Sequence, residues 1–167
     1  QAPLSQPVIS KKCDALNVFP LIPGDKWISH RSIMLGGLAI GETIVSGLLE
    51  GEDVLHTAMA MRAMGAKVTQ GDDGLWRING VGVGGLHEPS EVLDMGNSGT
   101  STRLLIGLVG GCDITATFTG DASLNKRPMG RVMKPLEMMG ATFLGRSEGR
   151  LPLTVKGARE TLAIEYT

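Results

Sequence analysis

Cysteine is scarce, charge is balanced and long apolar runs are missing, and each absence removes a class of protein. Only Cys13 and Cys112 occur among 167 residues. They stand far apart and outside any CxxC pair, which argues against a disulfide framework or a zinc site and fits a reducing compartment. Sixteen Lys and Arg face seventeen Asp and Glu, a net charge of -1. No global positive field therefore exists to draw in a nucleic-acid backbone or an anionic membrane. No uninterrupted run reaches the ~18 apolar residues of a membrane span, and QAPLSQPVISKK lacks the apolar core of a signal peptide. A cytoplasmic protein is expected, with neither nucleic acid nor membrane as partner.

Catalytic signatures are equally sparse. His30, His56 and His87 are separate in sequence and show no HExxH spacing, so no metal site is expected. No serine lies in GxSxG, and no matched pair of carboxylates stands at a defined spacing. The phosphate loop GxxxxGK[ST] is absent, because Asp25 separates Gly24 from Lys26. The string Gly80-Val81-Gly82-Val83-Gly84-Gly85 matches GxGxxG, but His87 and Pro89 follow where a helix facing a pyrophosphate should start, so it reads as a connection. No cofactor is expected.

What the chain has in plenty is glycine, 24 of 167 residues with 42% hydrophobic residues around them, which predicts many short elements joined by tight turns. The apolar run Leu16 to Ile22, broken by Pro20, reads as an edge strand. A helix is expected from Ser29 to about Ala39 on the spacing of Ile33, Met34 and Leu38, followed by the strand ETIVS. A second helix starts near Glu50, Glu52 and Asp53, acids that complement the helix dipole, and Leu55, Met59, Met61 and Met64 read as its buried stripe. Lys67 to Gln70 and Leu75 to Asn79 form a hairpin around Gly71-Asp72-Asp73-Gly74. The order is β-α-β-α-β-β.

That order then recurs: strand Val92 to Met95, helix Thr100 to Val109, strand Ile114 to Thr119, helix Pro128 to Met139, and a hairpin of Ala141 to Leu144 with Leu151 to Val155. Ala63-Met64-Gly65-Ala66 matches Met138-Met139-Gly140-Ala141 (139 − 64 = 75), and Ile78-Asn79-Gly80 matches Val155-Lys156-Gly157 (157 − 80 = 77). An internal repeat of this kind stacks units on one another. The expected organisation is a tail over 1–14, a first βαβαββ unit over 15–82, a second over 83–158, and the start of a third over 159–167. The opening Gln1 and the strand-like ending ETLAIEYT suggest a piece of something longer.

Three of the four helix starts combine a glycine-containing turn with basic residues: GDKWISHR with Lys26 and Arg31, MGNSGTSTR with Arg103, and GDASLNKRP with Lys126 and Arg127. Free N–H groups at a helix start favour an anion, and an adjacent Arg adds a charge-assisted bond of about 1.5–3 kcal/mol. Three such starts suggest a multiply anionic ligand or two anionic ligands. The plainer alternative is that Asn97 and Ser98 only cap a helix while the arginines pair with Asp94 or Asp121 at the surface.

These same strings resemble a known family. PGDKWISHR is similar to the PGDKSISHR motif of 5-enolpyruvylshikimate-3-phosphate synthases, GNSGTSTR to GN[AS]GTxxR, and GDASLNKRPMGRVMKPLEMMGA to the GDxSLxxRPM region. The resemblance implies an α/β (α+β) fold with two globules of three βαβαββ units each, of which this chain would hold two units. It also implies transfer of the carboxyvinyl group of phosphoenolpyruvate to shikimate 3-phosphate with release of phosphate. Lys26, Trp27 and Arg31 would meet shikimate 3-phosphate. Lys26, Asn97, Gly99, Thr100, Arg103 and Arg127 would line the phosphoenolpyruvate and glyphosate pocket. Lys26 would be the catalytic group, stabilising charge or moving a proton, because a lysine beside other cations has a lowered pKa.

The resemblance places the acid/base carboxylates in the other globule, so the chain alone is expected to be inactive and to need the remainder of the enzyme as partner. Trp27 stands where the motif has a serine that meets the substrate phosphate, and an indole cannot replace that hydroxyl. Val18 and Pro20 also depart from the usual strand before the motif. Two other readings stay open: a non-catalytic anion-binding or complementation module, and an enolpyruvyl transferase acting on a UDP-sugar.

Overall fold

The first helix, α1 (Lys26–Leu38), starts earlier than its apolar spacing indicates because Asp25 caps it, its carboxylate accepting the Ile28 N–H at 2.7 Å. The computed structural model of the chain describes residues 9, 12, 19 and 22–166. Within them, α1 (Lys26–Leu38), β1 (Ile40–Val45), α2 (Glu52–Ala63), β2 (Lys67–Gln70) and β3 (Trp76–Val81) come first. Then follow β4 (Leu93–Asp94), α3 (Gly99–Gly110), β5 (Thr115–Thr119), α4 (Gly130–Met138), β6 (Thr142–Arg146) and β7 (Arg150–Lys156). Short 3₁₀ turns cover Leu124–Lys126 and Ser147–Gly149. The strand expected over Leu16 to Ile22, like Cys13, lies outside the described residues except at Phe19 and Ile22, neither of which is in a strand.

The two sheets share one plan. Strands run β1-β3-β2 in the first and β4-β5-β7-β6 in the second, with β3 and β7 antiparallel to both neighbours and β4 parallel to β5. The repeated order is therefore also a repeated pairing. Single glycines carry it. Gly65 and Gly140 both close a helix at φ 107°, a conformation that favours glycine. Gly80 runs against the carbonyls of Gly36 and Ala39, and Gly157 against those of Val109 and Cys112. A side chain at either position would overlap backbone oxygen.

The spacing between equivalents grows along the chain. Gly24, Asp25, Ser29 and Arg31 match Gly96, Asn97, Ser101 and Arg103 at 72 residues, against 77 for Gly80 and Gly157. Three of the five extra residues fall between Arg31/Arg103 and Gly65/Gly140, where the second unit adds the 3₁₀ turn Leu124–Lys126, and two fall in the hairpin, whose second copy has longer strands. No strand forms over 159–166, where ETLAIEYT reads as one. Instead the Leu162 N–H bonds the Met139 carbonyl at 3.0 Å, as the His87 N–H bonds that of Met64 at 3.1 Å. Both segments cap the preceding helix end rather than join a sheet. After Gly85 the chain runs to residue 92 without a helix, which agrees with the rejection of a dinucleotide motif.

Helices and sheets bury one continuous core that includes Ile33, Met61, Met64, Ile78, Leu105, Phe118 and Leu153. The stripe expected on α2 needs correction. Leu55 and Met59 are 39% and 43% exposed, whereas Val54, Ala58, Met61 and Met64 are buried. At 100° per residue, positions 54, 58, 61 and 64 share a face, and 55 and 59 sit one position round.

The hairpin offers a first test. Arg77 donates to both Asp73 oxygens, at 3.0 and 2.6 Å, and the Leu75 N–H adds a third bond. These bonds, led by Arg77, hold the Asp73 carboxyl down to about 2. A depressed carboxylate contributes stability at pH above its ordinary value, and that contribution is lost as pH falls through about 2. The pair is solvent-exposed, so salt screens it and the contribution is small. NMR titration of side-chain carboxyls should place Asp73 near 2, and Arg77→Ala should return it toward the usual range.

Candidate anion site at the helix starts

Capping by Asp25 makes Lys26 the first residue of α1, and its ammonium reaches across to the carboxylate of Asp53 near the start of α2. Burial pushes the Asp53 carboxyl up, but the hydrogen bond and charge of Lys26 outweigh that, with smaller help from Ser98 and His30, and hold it below the ordinary range. The Asp53 backbone carbonyl accepts the Ser101 hydroxyl of α3 at 2.6 Å. Three helix starts thus meet at one aspartate.

The next turn is built around Asn97. Its amide donates to Asp121 at 2.7 Å, and its oxygen accepts from Arg127 at 3.2 Å. Asp121 in turn accepts the N–H groups of Ser123 and Leu124 at 2.9 and 2.7 Å, shaping the 3₁₀ turn that carries Arg127. The Asn97 bond comes first among the contacts that lower the Asp121 carboxyl, and the charge of Arg127 adds to them. Ser98 caps α3 by accepting the Ser101 N–H at 3.3 Å.

Gly99 sits between the two guanidinium groups. A Cβ there would lie 2.9 Å from an Arg127 nitrogen and 3.0 Å from an Arg103 nitrogen. Arg103 also donates to the carbonyls of Gly99 and Pro128, at 3.2 and 3.5 Å. Among the described residues neither Arg103 nor Arg127 forms an ion pair, so the surface pairing with Asp94 or Asp121 does not occur. Asp94 instead accepts the Gly96 N–H.

The structure therefore brings together Lys26, Asn97, Gly99, Arg103 and Arg127, with half-buried Thr100 beside Gly99. Among the described residues neither Arg31 nor Trp27 is hydrogen-bonded to this cluster. Arg31 is exposed and lines a shallow groove with Ile28, Leu35 and Thr43, and Trp27 is 50% exposed. The premise of a lysine crowded by cations also fails, since the partner of Lys26 is a carboxylate.

Sequence reasoning missed three residues. Asp53 read only as a helix-start acid, and nothing local links it to Lys26, 27 residues away. Arg131 and Lys134 extend the positive side from Arg103 into a cavity of about 860 Å³ that also touches Met133, Glu137 and Tyr166. Their i, i+3 spacing on α4 was the available signal. Among the described residues no three His, Cys, Asp or Glu side chains gather to hold a metal.

Chemically, the site offers one ammonium, two guanidinium groups and a capped helix start, an arrangement for holding carboxylate or phosphate. Comparisons with known proteins identify the family. The family model for EPSP synthase (3-phosphoshikimate 1-carboxyvinyltransferase) matches residues 16–167. The 3-phosphoshikimate 1-carboxyvinyltransferase of Novosphingobium aromaticivorans is 67% identical over 145 residues, 87% of this chain and 33% of the relative. That of Zymomonas mobilis is 58% identical over 160 residues, 96% of this chain and 35% of the relative. The solved EPSP synthase of Acinetobacter baumannii superposes with TM-score 0.82 at 47% identity, over 87% of this chain and 33% of that one. The chain spans about a third of the length of these relatives, and it belongs to the EPSP synthase family.

Proposed function

We propose that this chain supplies two of the three βαβαββ units of one globule of a cytoplasmic 3-phosphoshikimate 1-carboxyvinyltransferase. The remainder of the enzyme, carried by another stretch of polypeptide, completes the site. The reaction joins C2 of phosphoenolpyruvate to the substrate hydroxyl, which gives up its proton while C3 gains one, and the resulting tetrahedral intermediate loses phosphate together with a proton from C3, restoring the carbon–carbon double bond. In this reading Asn97, Gly99, Thr100, Arg103 and Arg127 hold phosphoenolpyruvate or glyphosate. Lys26 bridges to shikimate 3-phosphate, whose seat is shared with Arg31 and Trp27. The observation that carries it is the meeting of Arg103 and Arg127 over Gly99, neither neutralised by a carboxylate among the described residues.

An assay of phosphate release tests it. The chain alone should release none from phosphoenolpyruvate and shikimate 3-phosphate, and adding the remaining two thirds of a relative should start release. Turnover by the chain alone would refute its incompleteness, and a silent mixture despite complex formation would refute the assigned chemistry.

Gly99→Ala probes the pocket without touching the fold. The added methyl meets the ends of two flexible side chains at 2.9 and 3.0 Å and makes an ordinary contact with Leu124 at 3.7 Å, and alanine is the better helix former. Stability should change by less than about 1 kcal/mol. Phosphoenolpyruvate affinity should fall about tenfold, as one guanidinium contact is displaced. Thermal unfolding and ligand titration of the same variant check both halves.

A further inference from the structure

The α1–α2 contact contains a buried polar pair that no anion contact requires. His30 and Thr57 are both fully buried. His30 Nδ1 lies 2.9 Å from the Thr57 hydroxyl, which donates along its own helix to the Asp53 carbonyl at 3.3 Å. In the tautomer that carries its proton on Nδ1, His30 donates to Thr57 while the Thr57 proton goes to the Asp53 carbonyl, and the buried Nε2 has no partner. An unpaired buried acceptor is costly and calls for a reason.

The internal repeat supplies the control. At the position of His30 the second unit has Thr102, whose hydroxyl simply bonds the Ser98 carbonyl within its own helix. At the position of Thr57, 75 residues on, it has Val132. The unit is thus built without a cross-helix polar pair where no aspartate needs placing. The pair is present only beside Asp53, which binds Lys26 through its side chain and Ser101 through its carbonyl.

We infer that His30 is a positioning residue: through Thr57 and the Asp53 carbonyl it holds the start of α2, and so fixes Lys26 relative to the Asn97–Ser101 turn of the next unit. The claim rests on the proposed anion site for its purpose, but its geometry is testable without ligand. Replacing both partners by apolar residues removes the link without leaving a polar orphan, which is close to neutral for stability.

The test uses the full chain with His30→Leu/Thr57→Val, and His30→Asn as the conservative variant, whose amide nitrogen can take the place of Nδ1. In the double variant the ligand-free amide resonances of Asn97–Ser101 should move while the unfolding midpoint stays within about 3 °C. Phosphoenolpyruvate affinity should drop about tenfold, the size of one misplaced charged contact. His30→Asn should restore the resonances. If the double variant does not fold, Thr57→Val alone, which copies Val132 and breaks the link while leaving His30 Nδ1 unpaired, serves as the broken-link comparison for the Asn97–Ser101 resonances. Resonances of Asn97–Ser101 that coincide with the parent's, or that stay displaced in His30→Asn, would overturn the inference. If the parent chain does not bind phosphoenolpyruvate, the proposed function fails for the chain alone, and the ligand-free comparison still decides the role of His30.

Discussion

Gly157→Ala should cost the protein about 3 kcal/mol or more, beyond the ordinary range for overpacking a core. The backbone at Gly157 passes directly against the carbonyl oxygens of Val109 and Cys112. These are main-chain atoms at the end of α3, so the methyl group cannot be accommodated by turning a side chain. Either β7 lifts from α3, weakening its pairing with β5 and β6, or the last turn of α3 unwinds. Gly80→Ala should act the same way on β3, where the carbonyls of Gly36 and Ala39 block the methyl. Gly107, where a Cβ meets nothing within 4 Å, provides the contrast: Gly107→Ala should be neutral or stabilising in mid-helix. Denaturant unfolding of the three variants checks the ranking. Equal stabilities for Gly157→Ala and Gly107→Ala would show that the sheet and helix do not approach as described.

The double substitution Arg103→Ala/Arg127→Ala should abolish measurable phosphoenolpyruvate binding while the chain stays folded. Each charge-assisted contact is worth about 1.5–3 kcal/mol, so losing two lowers affinity by roughly a hundredfold to ten-thousandfold. Stability should hold because neither guanidinium pairs with a carboxylate among the described residues. What they give up is bonds to the Gly99 and Pro128 carbonyls and to Asn97. Lysine at both positions should recover only part of the affinity, since an ammonium lacks the planar fork that meets two anion oxygens. Calorimetric titration with thermal unfolding separates the two effects. Loss of fold together with binding would mean that the arginines are structural.

The repeat was legible because its punctuation is chemical. Gly65 and Gly140 stand at the same point of each unit because the backbone there turns through positive φ. The hairpin at Gly71–Gly74 showed through its turn residues for the same reason. Less legible was anything fixed by residues distant in sequence. Asp53 looked like a dipole-compensating acid, and only folding brings it to Lys26. Leu55 and Met59 were assigned to the core because apolar identity says nothing about which side of a helix faces in when the stripe is wide. ETLAIEYT has the composition of a strand but bonds a helix end. In the candidate site, the motifs singled out Arg103 and Arg127 together, whereas the face on which Arg31 lies follows from the angle between positions 26 and 31 of one helix.

The account depends on separate helix starts forming one seat for an anion. Titrating the isotopically labelled chain with phosphoenolpyruvate and following amide and side-chain resonances addresses that directly. The account predicts changes concentrated at Lys26, Asn97–Arg103 and Lys126–Arg127 that fit one saturating curve and weaken with added salt. Changes that scatter over other cations such as Lys156 and Arg159, or that follow unrelated curves at the three starts, would contradict it.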